Sequence, residues 1–215
     1  MENTLKLVSV RRDRGRAILT LSNGETLTMP RSMLKERPYR GGMPFDHCAF
    51  HTFIAERSYS FAMEKAIALL ALRPRTQQEI VKALSSNAYP EQTIACVMAR
   101  LDEAGYVNDT DFAEQWASSR SAKSMGARRI QMELRQKGVD SDTIALALSN
   151  LDADDMFSGA LKAARKSAVG KNLSNIKDRQ KIMAALARRG YDYSTAKLMD
   201  EAGIQKAVVP LRKSA

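Results

Sequence analysis

Ile130-(x3)-Leu134-(x3)-Gly138-Val139-(x3)-Thr143-Ile144 decides how the rest of the chain is read. The same pattern stands earlier as Ile80-(x3)-Leu84-(x3)-Ala88-Tyr89-(x3)-Thr93-Ile94 and later as Ile182-(x3)-Leu186-(x3)-Gly190-Tyr191-(x3)-Thr195-Ala196. A pattern that returns at roughly fifty residues marks a tandem repeat in which each copy is one supersecondary unit. Isoleucine and leucine four apart share one helix face, and the small residue four positions later makes the tight turn into a third helix. The expectation is a mainly α chain of three tandem three-helix, helix-turn-helix-like repeats in an elongated, curved arrangement. Such a form builds surfaces for a long partner rather than clefts for a small molecule.

Working outward, the helix boundaries follow from capping chemistry. Thr76-Gln77-Gln78-Glu79 is a capping box, Pro90 opens a third helix in the first repeat, and Gly105 ends it. Phe112, Ala113, Trp116 and Ala117 line one face of the next helix, which places Trp116 in a core. Residues 59–107, 108–153 and 154–203 are the expected repeats, with a tail over 204–215. Before them come a β region and connector over 1–45 and a linking helix over 46–58. In the β region Leu5, Leu7 and Val10 alternate with polar residues, Arg11 to Gly15 reads as a turn, and Ala17 to Leu21 is a second β run. Asn23-Gly24 suits a type I′ hairpin turn, and Thr26 to Met29 returns before Pro30 stops the strand. A small antiparallel sheet results, too small to stand without the helices that follow.

The 215 residues carry a formal charge of +10, with 44% hydrophobic residues, and the pI is near 9.7. A balance this basic points to an acidic partner such as nucleic acid. Between Phe157 and Asp192 nine basic residues face two acidic ones; the plain alternative is a solvated helical face kept soluble by its charge. No stretch approaches the roughly 18 apolar residues of a membrane span, and Met1 to Val10 lacks the apolar core of a signal peptide, so the expectation is a cytoplasmic protein without a membrane partner. Cys48 and Cys96 give no disulfide framework. His47-Cys48-(x2)-His51 is the one metal-like spacing, and no third ligand completes it; helix residues packed partly inside are the preferred reading. None of the phosphate-loop, dinucleotide, zinc-protease or serine-hydrolase motifs occurs, and neither a cofactor nor an enzymatic activity is expected.

Two longer stretches carry a resemblance. Leu101-Asp102-Glu103-Ala104-Gly105-Tyr106-Val107-Asn108-Asp109-(x2)-Phe112-Ala113 is followed by Gly126-Ala127-Arg128-Arg129-Ile130-(x2)-Glu133-Leu134-Arg135-Gln136-Lys137-Gly138-Val139, and Arg73-Pro74-Arg75-Thr76-(x2)-Glu79-Ile80 precedes both. Together they resemble the RecX family of recombination regulators over about residues 59–201. The third repeat follows the pattern least closely, with Ala196 where the others have isoleucine, and the N-terminal β region is not part of the match. The resemblance implies tandem three-helix repeats without catalytic activity. It also implies binding to the RecA recombinase filament on single-stranded DNA, in its groove, with suppression of ATPase and strand exchange and so of recombination and the SOS response.

The basic residues placed to make such contacts are Arg120, Lys123, Arg128, Arg129, Arg135 and Lys137 in the second repeat, extended by Arg165, Lys166, Arg188 and Arg189 in the third. Arg128 and Arg135 lie about two turns apart on one face. Glu133 has the i,i+4 spacing to pair with Arg129 or Lys137. The partner set is the RecA filament, with single-stranded DNA met weakly or through it, by a monomer. The rival reading is a basic helix-turn-helix-like protein that binds DNA directly as a transcription regulator; a metal-dependent hydrolase at His47 and His51 is a third.

Overall fold

The computed structural model describes residues 5–192, and the chain divides into two compact units after Asn108. Among the described residues there are three strands and eight α-helices, and no helix is long and apolar enough to cross a membrane.

The first unit opens with an antiparallel sheet, β1 (Leu7–Asp13), β2 (Arg16–Leu21) and β3 (Thr26–Pro30), in that spatial order. Alternation sends Ala17, Leu19 and Leu21 to one face, where Leu7 and Met29 join them in a core. The first turn is tighter than expected from sequence: Arg11, Arg12 and Asp13 are strand, paired with Ile18, Ala17 and Arg16, and only Arg14-Gly15 turns. The second turn is not type I′. Gly24 alone has a positive φ of 84°, and the Gly24 amide donates to the Leu21 carbonyl while the Leu21 amide donates to Glu25. That is a type I turn closed by a glycine bulge, so Asn23 stays in ordinary backbone space and its side chain accepts from the Glu25 amide at 3.0 Å.

The linking helix expected over 46–58 and the first helix of the first repeat are one element, α1 (His47–Leu72), capped by the Asp46 carboxylate. No single apolar face runs its length. Phe50, Phe53 and Ile54 cover the sheet, whereas Ala62, Ala66, Leu69 and Leu70 pack on α2 (Gln77–Ser86) and α3 (Glu91–Glu103). Ser58, at the expected break, is 1% exposed, and its hydroxyl hydrogen-bonds that of Thr93 at 2.8 Å. A residue with a propensity for ending helices is thereby satisfied inside one.

The second unit holds α4 (Asp109–Ala122), α5 (Ala127–Gln136), α6 (Ser141–Ser149), α7 (Ala153–Ala168) and α8 (Ile176–Arg188). Ile80 and Leu84, Ile130 and Leu134, and Ile182 and Leu186 are all fully buried, each pair at the centre of its own repeat's core. The turns after them close identically. The amides of Tyr89, Val139 and Tyr191 reach back to the carbonyls of Leu84, Leu134 and Leu186 at 3.1–3.3 Å, with Ala88, Gly138 and Gly190 in the left-handed region at φ 63°, 83° and 89°. The third helix expected in the last repeat, with Thr195 and Ala196, lies outside the described residues.

Candidate partner surface on the second and third repeats

α5 turns two different faces outward and inward. Ile130 and Leu134 point into the core. Arg128, Met132 and Arg135, at i, i+4 and i+7, form the opposite stripe. All three are exposed, Met132 by 42%. Neither arginine makes a side-chain hydrogen bond or ion pair among the described residues.

Glu133 stands on the flank between these faces and gathers much of the remaining charge. Its carboxylate, 14% exposed, accepts from Arg120 Nε at 2.7 Å, from Arg129 Nε at 3.0 Å and from the Trp116 indole at 3.2 Å. Burial alone would raise its pKa; the hydrogen bonds from Arg129 and Arg120 outweigh that and hold it below the ordinary carboxylate range. Trp116 is therefore half-buried rather than core, stacked with Phe112 at 5.8 Å. The Arg120 guanidinium lies 4.1 Å from its ring centre, and the Lys137 ammonium 4.4 Å. Sequence spacing offered Glu133 a partner in Lys137; the structure gives that lysine to the aromatic rings and brings in Arg120, thirteen residues away.

The start of α5 meets the end of α8. Gly126, the N-cap, offers no side chain. Instead its amide donates to the Arg189 carbonyl at 2.8 Å, and the Arg128 amide donates to Gly190 at 3.1 Å. Orphan amides at one helix start are thus satisfied by carbonyls at another helix end, where opposite dipole ends meet. The approach leaves no room at either glycine: a Cβ on Gly126 would sit 2.4 Å from the Gly190 carbonyl, and one on Gly190 would sit 2.3 Å from the Arg129 amide nitrogen. Arg189 is spent partly on this junction, its Nη1 donating to the Ser124 carbonyl at 3.2 Å.

The ten basic candidates accordingly separate. Arg120, Arg129, Lys137 and Arg189 are held by intramolecular contacts. Lys123, Arg128, Arg135, Lys166 and Arg188 are exposed and unpaired among the described residues, and Arg165 is exposed. The junction brings the backbone of Arg128 and Arg129 against that of Arg189 and Gly190, some sixty positions away along the chain. It does not gather Arg165 and Lys166, which lie in the last turn of α7; there they complement the helix's negative end. Beside the junction, Ala127, Met156, Phe157 and Tyr191, with Arg128 and Asp192 as the charged members, line a largely apolar depression of about 330 Å³, with Phe157 42% exposed. This combination offers apolar contact with one arginine at its edge.

The histidine cluster lies elsewhere, in the first unit. His47 Nε2 is 3.3 Å from Glu25, the His47 and His51 rings stack at 6.3 Å, and Cys48 is exposed. Among the described residues no group of three or more potential ligands is arranged to hold a metal ion.

Comparison with known proteins follows the same division. Residues 62–101, 108–148 and 154–197 match, in order, the first, second and third three-helix domains of RecX. Regulatory protein RecX of Mycolicibacterium smegmatis is 36% identical over 143 residues, 63% of this chain and 75% of that protein. Its namesake in Mycobacteroides abscessus is 38% identical over 144 residues, 66% of this chain and 69% of that protein. Two crystal structures share the fold at a TM-score of 0.62: a regulatory protein RecX, 19% identical and covering 92% of this chain and 99% of its own, and RecX from Lactobacillus salivarius, 21% identical and covering 67% and 96%.

Proposed function

Because the chain belongs to the RecX family of regulatory proteins, we propose that it binds the RecA recombinase filament on single-stranded DNA. There it acts as a non-catalytic inhibitor of ATPase and strand exchange, and so restrains recombination and the SOS response from the cytoplasm. The observation that carries this reading is the outer face of α5, where Arg128, Met132 and Arg135 stand exposed in one stripe and Arg128 borders an apolar depression shared with Phe157. Exposed arginines flanking an apolar side chain suit a protein surface that is itself acidic, and the summed field speeds association even where each exposed pair contributes only about 1 kcal/mol or less.

Direct reading of duplex DNA as a transcription regulator fits the helices less well. In a helix-turn-helix the last helix enters the major groove. In the second repeat that position is taken by α6, which carries Asp142 and an exposed Leu146 and no lysine or arginine, and in the first by α3, whose one arginine, Arg100, is paired with Glu103 at 2.8 Å.

The test is the single-stranded-DNA-dependent ATPase of the cognate RecA as this protein is titrated in at two salt concentrations. Inhibition far below one molecule per several protomers means that it stops filament growth or promotes disassembly, and inhibition only near one per several protomers means groove occupancy. Changing Arg128→Gln together with Arg135→Ser should raise the half-inhibitory concentration about tenfold, roughly 1.4 kcal/mol. Absence of inhibition by the unaltered protein at every ratio overturns the proposal.

A further inference from the structure

The densest arginine cluster in the chain lies in the first unit, outside the residues matched by the three family domains. Arg11-Arg12-Asp13-Arg14-Gly15-Arg16 forms the end of the β1–β2 hairpin, and Arg31 joins it, its amide donating to the Gly15 carbonyl at 2.9 Å. Five arginines thus surround one turn with a single carboxylate, Asp13, which is taken by Arg16 at 3.1 Å. Arg11, Arg12, Arg14 and Arg31 are exposed and have no side-chain hydrogen bond or ion pair among the described residues.

This hairpin end is held in place. Gly15 packs on the Asn87 side chain, in the turn after α2, whose amide would have to swing away to admit a Cβ there. Asn87 is in turn anchored by donating to the Ala83 carbonyl at 2.7 Å, and Ser32 bonds the buried Tyr89 hydroxyl at 3.1 Å. A mobile basic tail needs no such seat. Clustering unpaired cations on a rigid turn costs self-repulsion, which a polyanion would relieve.

We propose that the arginine-lined end of the β1–β2 hairpin is a binding site for the phosphate backbone of single-stranded DNA. Arginine in place of lysine favours forked hydrogen bonds to phosphate oxygens. The outer sheet face adds hydroxyl donors: the register sets Ser9, Thr20 and Thr26 in one row and Arg11, Ile18 and Thr28 in the next. That face carries no aromatic ring on which bases could stack, so recognition is through the backbone and independent of base sequence. The choice of a single strand follows from placement. Arg11 and Arg12 project to opposite faces of the sheet and Arg14 sits at the tip, so the cations wrap around an edge. A flexible strand can follow that path; a duplex, stiff over about 150 base pairs, cannot.

The site does not rest on the RecA reading, and its test contains no recombinase. Anisotropy of a labelled oligothymidylate is measured with the full chain between about 50 and 200 mM salt. The comparison is a triple variant, Arg11→Thr, Arg12→Thr and Arg14→Asn, chosen because threonine suits a strand and asparagine tolerates the left-handed backbone of Arg14, whose φ is 48°. An unchanged melting temperature establishes that the variant is folded. The expected result is at least a tenfold loss of affinity at low salt and a fall of about 2 in the slope of log K against log salt, about 0.7 for each phosphate contact removed. Equal affinity and slope in both proteins overturn the site, and tighter binding of a duplex with the same arginine dependence overturns the choice of a single strand.

Discussion

α2 and α5 are the same helix used twice. Each presents isoleucine and leucine inward, Ile80 with Leu84 and Ile130 with Leu134, and each ends in the same backbone-closed left-handed turn. Outside those positions they diverge. The exposed sites Gln78 and Ser85 of α2 correspond to Arg128 and Arg135 of α5, and half-buried Ala83 corresponds to Glu133. Even the caps differ: the Thr76 hydroxyl accepts the Glu79 amide at 3.2 Å, while Gly126 leaves its turn to the carbonyls of Arg189 and Gly190. The inward residues specify a three-helix unit, and the outward ones decide what that unit meets.

Exchanging residues between the two helices probes that division. The largest effect belongs to Gly126→Thr, which moves the first repeat's cap into the second. With the Gly190 carbonyl 2.4 Å from the new Cβ, the junction must open, at a cost of about 3 kcal/mol, read as a lower urea midpoint. Glu133→Ala follows. It strips Arg120, Arg129 and Trp116 of their shared acceptor and should cost about 2 kcal/mol at pH 7. Its pH dependence has a definite sign: the folded pKa lies below the ordinary 4.5, so the advantage of the unaltered protein is complete above that value and shrinks as acid drives the pH down through the folded pKa. Stability curves that stay parallel from pH 7 to 3 would refute that account of Glu133. Ala88→Gly, which gives α2 the turn residue of α5, relieves a non-glycine residue held at φ 63° and should stabilise by about 0.5–1 kcal/mol. Least of all, Arg128→Gln with Arg135→Ser should leave thermal stability within about 0.5 kcal/mol, because neither side chain is paired; a larger loss would mean the outward stripe also serves the fold.

The repeats were legible in sequence because their period is written in residues that are wholly buried: Ile130, Leu134 and their counterparts are 0% exposed. What escaped depended on contacts between distant positions. The continuity of α1 rests on Ser58 finding Thr93, and the half-exposed state of Trp116 rests on Arg120 and Lys137 covering its ring. The basic candidates were legible as charge but not as available charge. Whether an arginine is spent on a carboxylate, as Arg129 is, or left facing outward, as Arg128 one residue earlier is, depends on helix phase relative to neighbours that spacing alone does not supply. The meeting of Arg128 with Gly190 was likewise hidden, since nothing local announces that a glycine N-cap is awaiting carbonyls from the next repeat.

That borrowed cap orders events during synthesis. A ribosome makes Gly126 and the helix it begins roughly 60 residues before it makes Arg189 and Gly190, a lag on the order of 3–12 s at ordinary elongation rates. During that interval the nascent second repeat has its isoleucine–leucine core but not its final helix start. The basic outer face of α5 is therefore locked only when the third repeat has emerged and docked.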